Sequence, residues 1–273
     1  MTEKKYHRGR HKKKKSGRKS NLFLNLILLL ALAVFAVSAY QLIRIGKGYL
    51  DGRNEYEKIR ELAIDSVEED GQEEAPEGTG FRVDFDKLKA INPDTIGWIR
   101  FSPEPSVINY PIVQGADNDK YLHQTFSANE NTLGAIFLNA GNSPDFSDRN
   151  SIIYGHRMKD GSMFRYLQDY EEKAFWESNP YFYIYTPDGR EIAYHIYSAG
   201  QVEDTSDTYL TAFASDEEYQ NFLNMTKEVS LYDTGVQLTT ADTIVTLSTC
   251  TSASDEHRFV VRGVKEKEVN LNQ

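Results

Sequence analysis

No charged residue lies between Lys19 and Arg44. Within that interval Leu22 to Ile43 runs LFLNLILLLALAVFAVSAYQLI, with only Asn25, Ser38 and Gln41 clearly polar. About 20 apolar residues, each rising ~1.5 Å in a helix, span the hydrocarbon core of a bilayer. The run therefore dictates where the rest of the chain can fold. Residues 1–20 hold ten Lys/Arg against the single acid Glu3, a tail of charge +9. By the positive-inside rule such a tail stays cytoplasmic, which puts the roughly 230 residues that follow the run outside the cytoplasm. Val37-Ser38-Ala39 resembles a signal-peptidase site, but a secretory h-region is only ~7–15 residues long. The longer run here points to an uncleaved single-pass anchor over 21–43.

Charge narrows the possible partners. The chain carries a net charge of -10, so everything after the basic tail must hold -19. An acidic body does not suit nucleic acid, because phosphate binding needs a basic surface. The chain has one cysteine, which excludes an intrachain disulfide and any multi-cysteine zinc or iron–sulfur site.

After the anchor, Gly46 to Ile64 mixes Tyr49, Leu50, Tyr56, Ile59, Leu62 and Ala63 with charges, a pattern that predicts a short amphipathic helix. Asp65 to Gly80 then reads DSVEEDGQEEAPEGTG, with seven acids and no base. Such a stretch cannot bury a core, and the expectation is a flexible spacer. The helix and spacer together fill 44–80.

A folded domain is expected over 81–267, with a short C-terminal tail at 268–273. Its pattern is mainly short strands bounded by Gly, Pro, Asn or Asp: Thr95 to Phe101, Val107 to Val113, Gly134 to Leu138 and Ser151 to Tyr154. Tyr181 to Tyr185 and Glu191 to Ala199 flank Pro187-Asp188-Gly189, a hairpin signal. Asp242 to Thr249 and Arg258 to Val264 complete the set. Helical patterns interrupt at Ser162 to Tyr170 and Ser215 to Val229. In the second, Tyr219, Phe222, Leu223 and Met225 form a core-facing stripe, and Ser215 with Glu218 makes a capping box. About eight short strands with few helices predict a closed barrel or a sandwich.

Cys250 ends the run Thr243 to Thr249 and precedes the polar loop Thr251 to Glu256. A lone cysteine is commonly a small buried hydrophobe. Outside the cytoplasm, however, an idle thiol is a liability, and a strand end lets the side chain reach solvent. A thiol nucleophile works as thiolate and needs a basic or cationic neighbour. His7 and His11 lie in the cytoplasmic tail. His123 falls in a surface turn and His195 inside a strand, which leaves His156 and His257. His156 follows an apolar run and one glycine, so it too falls at a strand end. Arg258 opens a strand eight residues after Cys250, and a short loop between antiparallel strands would return it beside the thiol. Its guanidinium suits a developing oxyanion; the alternative is a surface salt bridge with Asp255 or Glu256. His257 and Arg258 point to opposite strand faces, so only one of them can face the thiol. Arg262 shares a face with Arg258 but lies about 13 Å along the strand, too far to serve the same oxygen.

TLSTC at Thr246 to Cys250, followed by RFVV at Arg258 to Val261, resembles the catalytic core of sortases. Ser147 to Met158 (SDRNSIIYGHRM) matches their histidine segment. Asn109 to Gly115 (NYPIVQG), Asp117-Asn118-Asp119 and Lys159 to Phe164 (KDGSMF) resemble class B members in particular. The helical pattern at 215–229 falls where that class carries a long helix between its sixth and seventh strands. The resemblance covers about residues 82–266, and the basic tail and anchor fit it too. It implies a mainly β fold: an eight-stranded barrel with peripheral helices, preceded by one transmembrane helix. It also implies a membrane-bound cysteine transpeptidase with Cys250 as nucleophile, His156 as general acid/base and Arg258 as oxyanion stabiliser. The implied substrates are surface proteins with a C-terminal sorting signal of the NPQTN or (S/N/P)PxTG kind, cleaved after Thr. The implied acceptor is a peptidoglycan cross-bridge amine, or lipid II, and no metal or organic cofactor is required. The rival readings are a pilus-polymerising sortase, a thiol hydrolase, and a non-catalytic membrane-tethered binding domain.

Overall fold

The computed structural model describes residues 18–65, 80–251 and 256–271. The basic tail before Arg18, most of the expected acidic spacer (66–79) and residues 252–255 of the loop after Cys250 lie outside the described residues. The chain divides into two compact units, Met1–Lys47 and Gly48–Gln273.

In the first unit the uncharged run is helical, part of helix α1 (Arg18–Ala63). From Leu22 to Val37 its side chains are exposed on every side. The helix is long and apolar enough to cross a membrane, with a mean hydropathy of 2.7 over its most apolar 18-residue stretch. Apolar side chains all round a helix suit a lipid environment.

In the second unit the rest of α1 is amphipathic, as the spacing of its apolar residues predicts. Tyr56, Ile59 and Ala63, at i, i+3 and i+7, are buried in the core of the unit. The Tyr56 hydroxyl donates to the Gly134 carbonyl at 2.8 Å and accepts from the Phe126 amide at 3.2 Å. Residues 48–63 are therefore an integral part of the folded unit. Two short strands, β1 (Ile64–Asp65) and β2 (Arg82–Val83), pair beyond them.

The expected strands form β3 (Thr95–Phe101), β4 (Asn109–Val113), β5 (Ile136–Leu138), β6 (Asn150–Tyr154), β7 (Tyr181–Tyr185), β8 (Arg190–Glu203), β9 (Ile244–Cys250) and β10 (His257–Asn270). They close into a barrel in the order β10-β8-β7-β3-β4-β5-β6-β9. Closure leaves the barrel with no free edge, which decides between the barrel and the sandwich. Most neighbours are antiparallel; β4–β5 and β6–β9 are parallel. The hairpin predicted at Pro187 to Gly189 joins β7 to β8, with Gly189 at φ 87°.

Alternate residues of β9 and β10 face opposite sides. Val245, Leu247, Phe259 and Val261 fill the interior. Ile244 and Val264 join a second cluster with Tyr197, Tyr219, Phe222 and Leu223. The last three belong to helix α5 (Asp216–Glu228), the predicted helix, which packs on the outer wall. Its Ser215 cap accepts from the Glu218 amide at 3.1 Å, but the Glu218 carboxylate accepts from the Ala214 amide, one residue before the position a capping box uses.

The helical pattern at Ser162 to Tyr170 becomes a 3-10 helix at Arg165–Glu171. Its buried residues, Leu167 and Tyr170, are three apart, the spacing that stacks side chains on one side of a 3-10 helix. Helices α2 (Phe85–Ile91), α3 (Lys120–His123) and α4 (Lys173–Ser178) complete the periphery.

Candidate active site

Every residue of β9 is buried except the last, Cys250, which is half-buried. The strand is covered inside by the core and outside by α5 and the segment before it. That outer cover ends at Cys250, so the outward-facing thiol is where a buried strand first meets solvent.

Strand register assembles its neighbours. In the antiparallel β9–β10 pair, Arg258 lies directly opposite Cys250, a Cα separation of about 4.5–5.5 Å. Cys250, Ser248 and Thr246 thus share an outer face with Arg258, Val260 and Arg262. On the other side β6 runs parallel to β9, pairing Ile152 with Thr246 and Tyr154 with Ser248. The Gly155 amide continues the ladder by donating to the Ser248 carbonyl at 3.1 Å. Extending the same register two residues beyond Tyr154 brings His156 level with Cys250. The three residues thus end three adjacent strands on one face.

The histidine is held from behind. Its Nε2 meets the Leu122 carbonyl at 2.7 Å. A carbonyl only accepts, so Nε2 carries the proton in the neutral ring, which leaves Nδ1 as its acceptor nitrogen. Two glycines make room for this arrangement. A Cβ on Gly155 would stand 2.5 Å from Ile136 Cδ1 and 2.7 Å from the Phe164 ring. Close packing, with no left-handed backbone, is what demands glycine there. Gly134 has φ 59°, and a Cβ on it would meet the Tyr121 carbonyl at 2.6 Å and the His156 ring at 2.9 Å. Leu122 itself lies in α3, which is tied down by Asp94: its carboxylate accepts from Lys120 Nζ at 2.6 Å and from the Tyr121 hydroxyl at 2.7 Å.

The Arg258 guanidinium donates to the His257 carbonyl at 3.1 Å and pairs with Asp204 at 3.4 Å. Asp204 follows β8, so the carboxylate comes from across the sheet. A second guanidinium, Arg157, follows the histidine and bonds Gln168 at 2.8 Å. Burial lowers its pKa from the ordinary value, while the nearby thiol group favours its charge. Tyr209, in a 3-10 turn at Asp207–Tyr209, places its hydroxyl 3.0 Å from Ser248 Oγ and stacks on Tyr154.

The other histidines lie elsewhere. His257 pairs in register with Glu203 and sits on the opposite strand face from Arg258. His195 is in β8, stacked on Tyr181 and 3.1 Å from Glu266. His123 is exposed at the end of α3, 3.7 Å from Asp119. Among the described residues no cluster of His, Cys, Asp or Glu could hold a metal ion. Leu122, Gly134, Asp204 and Tyr209 carry no local motif that marks them; only the barrel brings them to the site.

Residues 103–266 match the sortase domain family. This chain belongs to the sortase family. It is 31% identical over 238 residues to sortase B of Staphylococcus aureus, an alignment covering 86% of this chain and 92% of that protein. Among solved structures it is similar to sortase B of Bacillus anthracis, with a TM-score of 0.68 and 35% identity over 82% of this chain and all of that one. It is also similar to S. aureus sortase B in a complex with substrate, with a TM-score of 0.62 and 34% identity over 67% and 84% of the two chains. Its relatives are class B sortases, and sortases are cysteine transpeptidases.

Proposed function

We propose that Cys250, His156 and Arg258 are the reacting constellation of this sortase, and that it joins a sorting-signal protein to a cell-wall amine. The observation that carries this reading is the register of β6, β9 and β10, which gathers a thiol, an imidazole and a guanidinium at one rim. Cys250 Sγ, as thiolate, attacks the carbonyl after Thr in an NPQTN-like or (S/N/P)PxTG-like signal. The C–N bond breaks, and His156 Nδ1 supplies the proton that leaves with the amine. The acyl group remains on sulfur until an acceptor amine attacks, loses a proton to His156 and expels the thiolate. Arg258 stabilises the oxyanion of each tetrahedral intermediate; a fixed cation beside the developing charge is worth most in such a partly dry site. The similarity to S. aureus sortase B, which has been solved in a complex with substrate, supports the reading that this chain binds a substrate of the same family.

The acceptor is a peptidoglycan cross-bridge amine or lipid II, and the protein is anchored by its single apolar helix with the basic tail cytoplasmic and the domain at 81–267 extracellular. Mass spectrometry tests the reading: incubation with a panel of sorting peptides should give a covalent acyl adduct on Cys250. Adding an amine should convert the adduct to a ligated product. Hydrolysis alone, undiminished by any amine, would make the protein a thiol hydrolase.

A further inference from the structure

Beside the site, the outer wall of the barrel holds a charged side chain that the proposed chemistry does not use. Arg262 is fully buried. Its Nη1 donates to Ser198 Oγ at 3.0 Å in β8, and its Nη2 to Thr208 Oγ1 at 2.9 Å in the 207–209 turn. Among the described residues its Nε has no hydrogen-bond partner and no carboxylate forms an ion pair with it. Removing a guanidinium from water costs several kcal/mol even after relaxation, and two hydroxyl acceptors offset only part of this. Burial accordingly lowers its pKa from the ordinary value. A hydrophobic side chain would fill the space at lower cost, so the charge needs an explanation other than stability.

What the guanidinium holds supplies one. A three-residue 3-10 turn cannot sustain itself, and this turn is tied to the wall by two side chains that reach out to it, besides its own Tyr209. Arg262 grips it through Thr208 Oγ1. Asn150 grips it through Nδ2, which donates to the Leu210 carbonyl at 2.8 Å and the Thr208 carbonyl at 3.3 Å, while its Oδ1 accepts from Thr246 Oγ1 at 2.8 Å. Between the two grips stands Tyr209, bonded to Ser248 and stacked on Tyr154. Those two residues are register partners, each two positions before Cys250 or His156.

We infer that Arg262 is a positioning residue that fixes the 207–210 turn as a wall of the peptide groove. The inference rests on the transpeptidase reading above. The planar fork of donors spans two elements at once, β8 and the turn, whereas a lysine ammonium would reach one of them.

The test uses the full chain in detergent micelles, with Arg262→Met, Arg262→Lys and Thr208→Val. Steady-state cleavage of one sorting peptide is measured with the rate of Cys250 alkylation by iodoacetamide, which needs the thiol but no groove. Arg262→Met and Arg262→Lys should raise KM about tenfold, with kcat and alkylation within about threefold of the parent. Thr208→Val cuts the same link from the turn side and should shift KM in the same direction. The double variant Arg262→Met with Thr208→Val should be no worse than Arg262→Met alone. A parental KM in the folded variants would overturn the role of Arg262, as would an alkylation rate that falls in step with cleavage. Should the Arg262 variants fail to fold, Thr208→Val decides by the same criteria. A parent protein that cleaves no sorting peptide would overturn the reading of the site, and this inference with it.

Discussion

Cys250 occupies the one position on β9 where a side chain both faces outward and escapes the outer cover. Cys250→Ala removes the only atom able to carry the acyl group. On the proposed mechanism it should abolish peptide cleavage and transfer while leaving the thermal melt unchanged, since a half-buried Sγ leaves no closed cavity. His156→Ala should lower kcat/KM by ~10²–10⁴, the usual size of a lost general acid/base. His257→Ala and His195→Ala should keep most activity, because one side chain lies on the far strand face and the other pairs with Glu266. Arg258→Lys keeps the charge but loses the planar fork, and turnover should fall by ~10²–10³. Its effect should be on kcat more than on KM, because the oxyanion exists only in the transition state. Kinetics with a single sorting peptide check all of these, and normal turnover in Arg258→Lys would assign that residue to substrate binding instead.

The elements around the histidine make its position sensitive to changes that never touch substrate. Gly134→Ala forces a left-handed backbone on alanine and drives a methyl group to 2.6 Å from a carbonyl oxygen. It should lower stability by about 1–3 kcal/mol and reduce cleavage by displacing His156. A melt and a rate on the same sample check this. Further back, α3 holds the Leu122 carbonyl against Nε2, and Asp94 holds α3. The Lys120 ammonium, and then the Tyr121 hydroxyl, keep the Asp94 carboxyl below the usual carboxylate range. A carboxyl whose pKa is lower folded than unfolded stabilises the fold at pH values above its unfolded pKa. That contribution is lost as pH falls through the folded value. Thermal melts should therefore show the parent protein more stable than Asp94→Asn at neutral pH, with the gap closing progressively below about pH 5. A gap independent of pH would mean that packing, and not the charge, ties α3 down.

For the molecule as a whole, the end of α1 belongs to the catalytic unit. Tyr56, Ile59 and Ala63 are buried in the core, and Tyr56 bonds the Gly134 carbonyl beneath the histidine. A protein beginning at Gly48 should thus be more stable than one beginning at Phe81, which exposes the surface these residues cover. If the loss is about 3 kcal/mol, the melting temperature falls by about 6–12 °C in a unit of this size. Scanning calorimetry of the two proteins measures it, and equal melting temperatures would reduce 48–63 to a tether.

The sequence by itself determined the apolar helix, the eight strands, helix α5 and the cysteine. Each is written in local periodicity: an unbroken apolar run, alternation bounded by turn residues, or a capped amphipathic stripe. The motif segments also named the family. Local pattern could not choose between barrel and sandwich, because closure depends on which distant strands pair. It left His156 and His257 both open as partners of the thiol, since only the parallel β6–β9 register carries one to Cys250 while alternation turns the other away. It offered Asp255 or Glu256 as the carboxylate for Arg258, and Asp255 lies outside the described residues; the fold brings up Asp204, which local sequence did not suggest, from the neighbouring strand. It set Arg262 too far along the strand to serve the same oxygen as Arg258, but gave no sign that the cover laid down by residues 207–210 buries it. Register and cover join residues far apart in the chain, such as Asn150 with Thr246 and Thr208 with Arg262, and that long-range pairing is set by packing around the closed barrel, which no local stretch of sequence encodes.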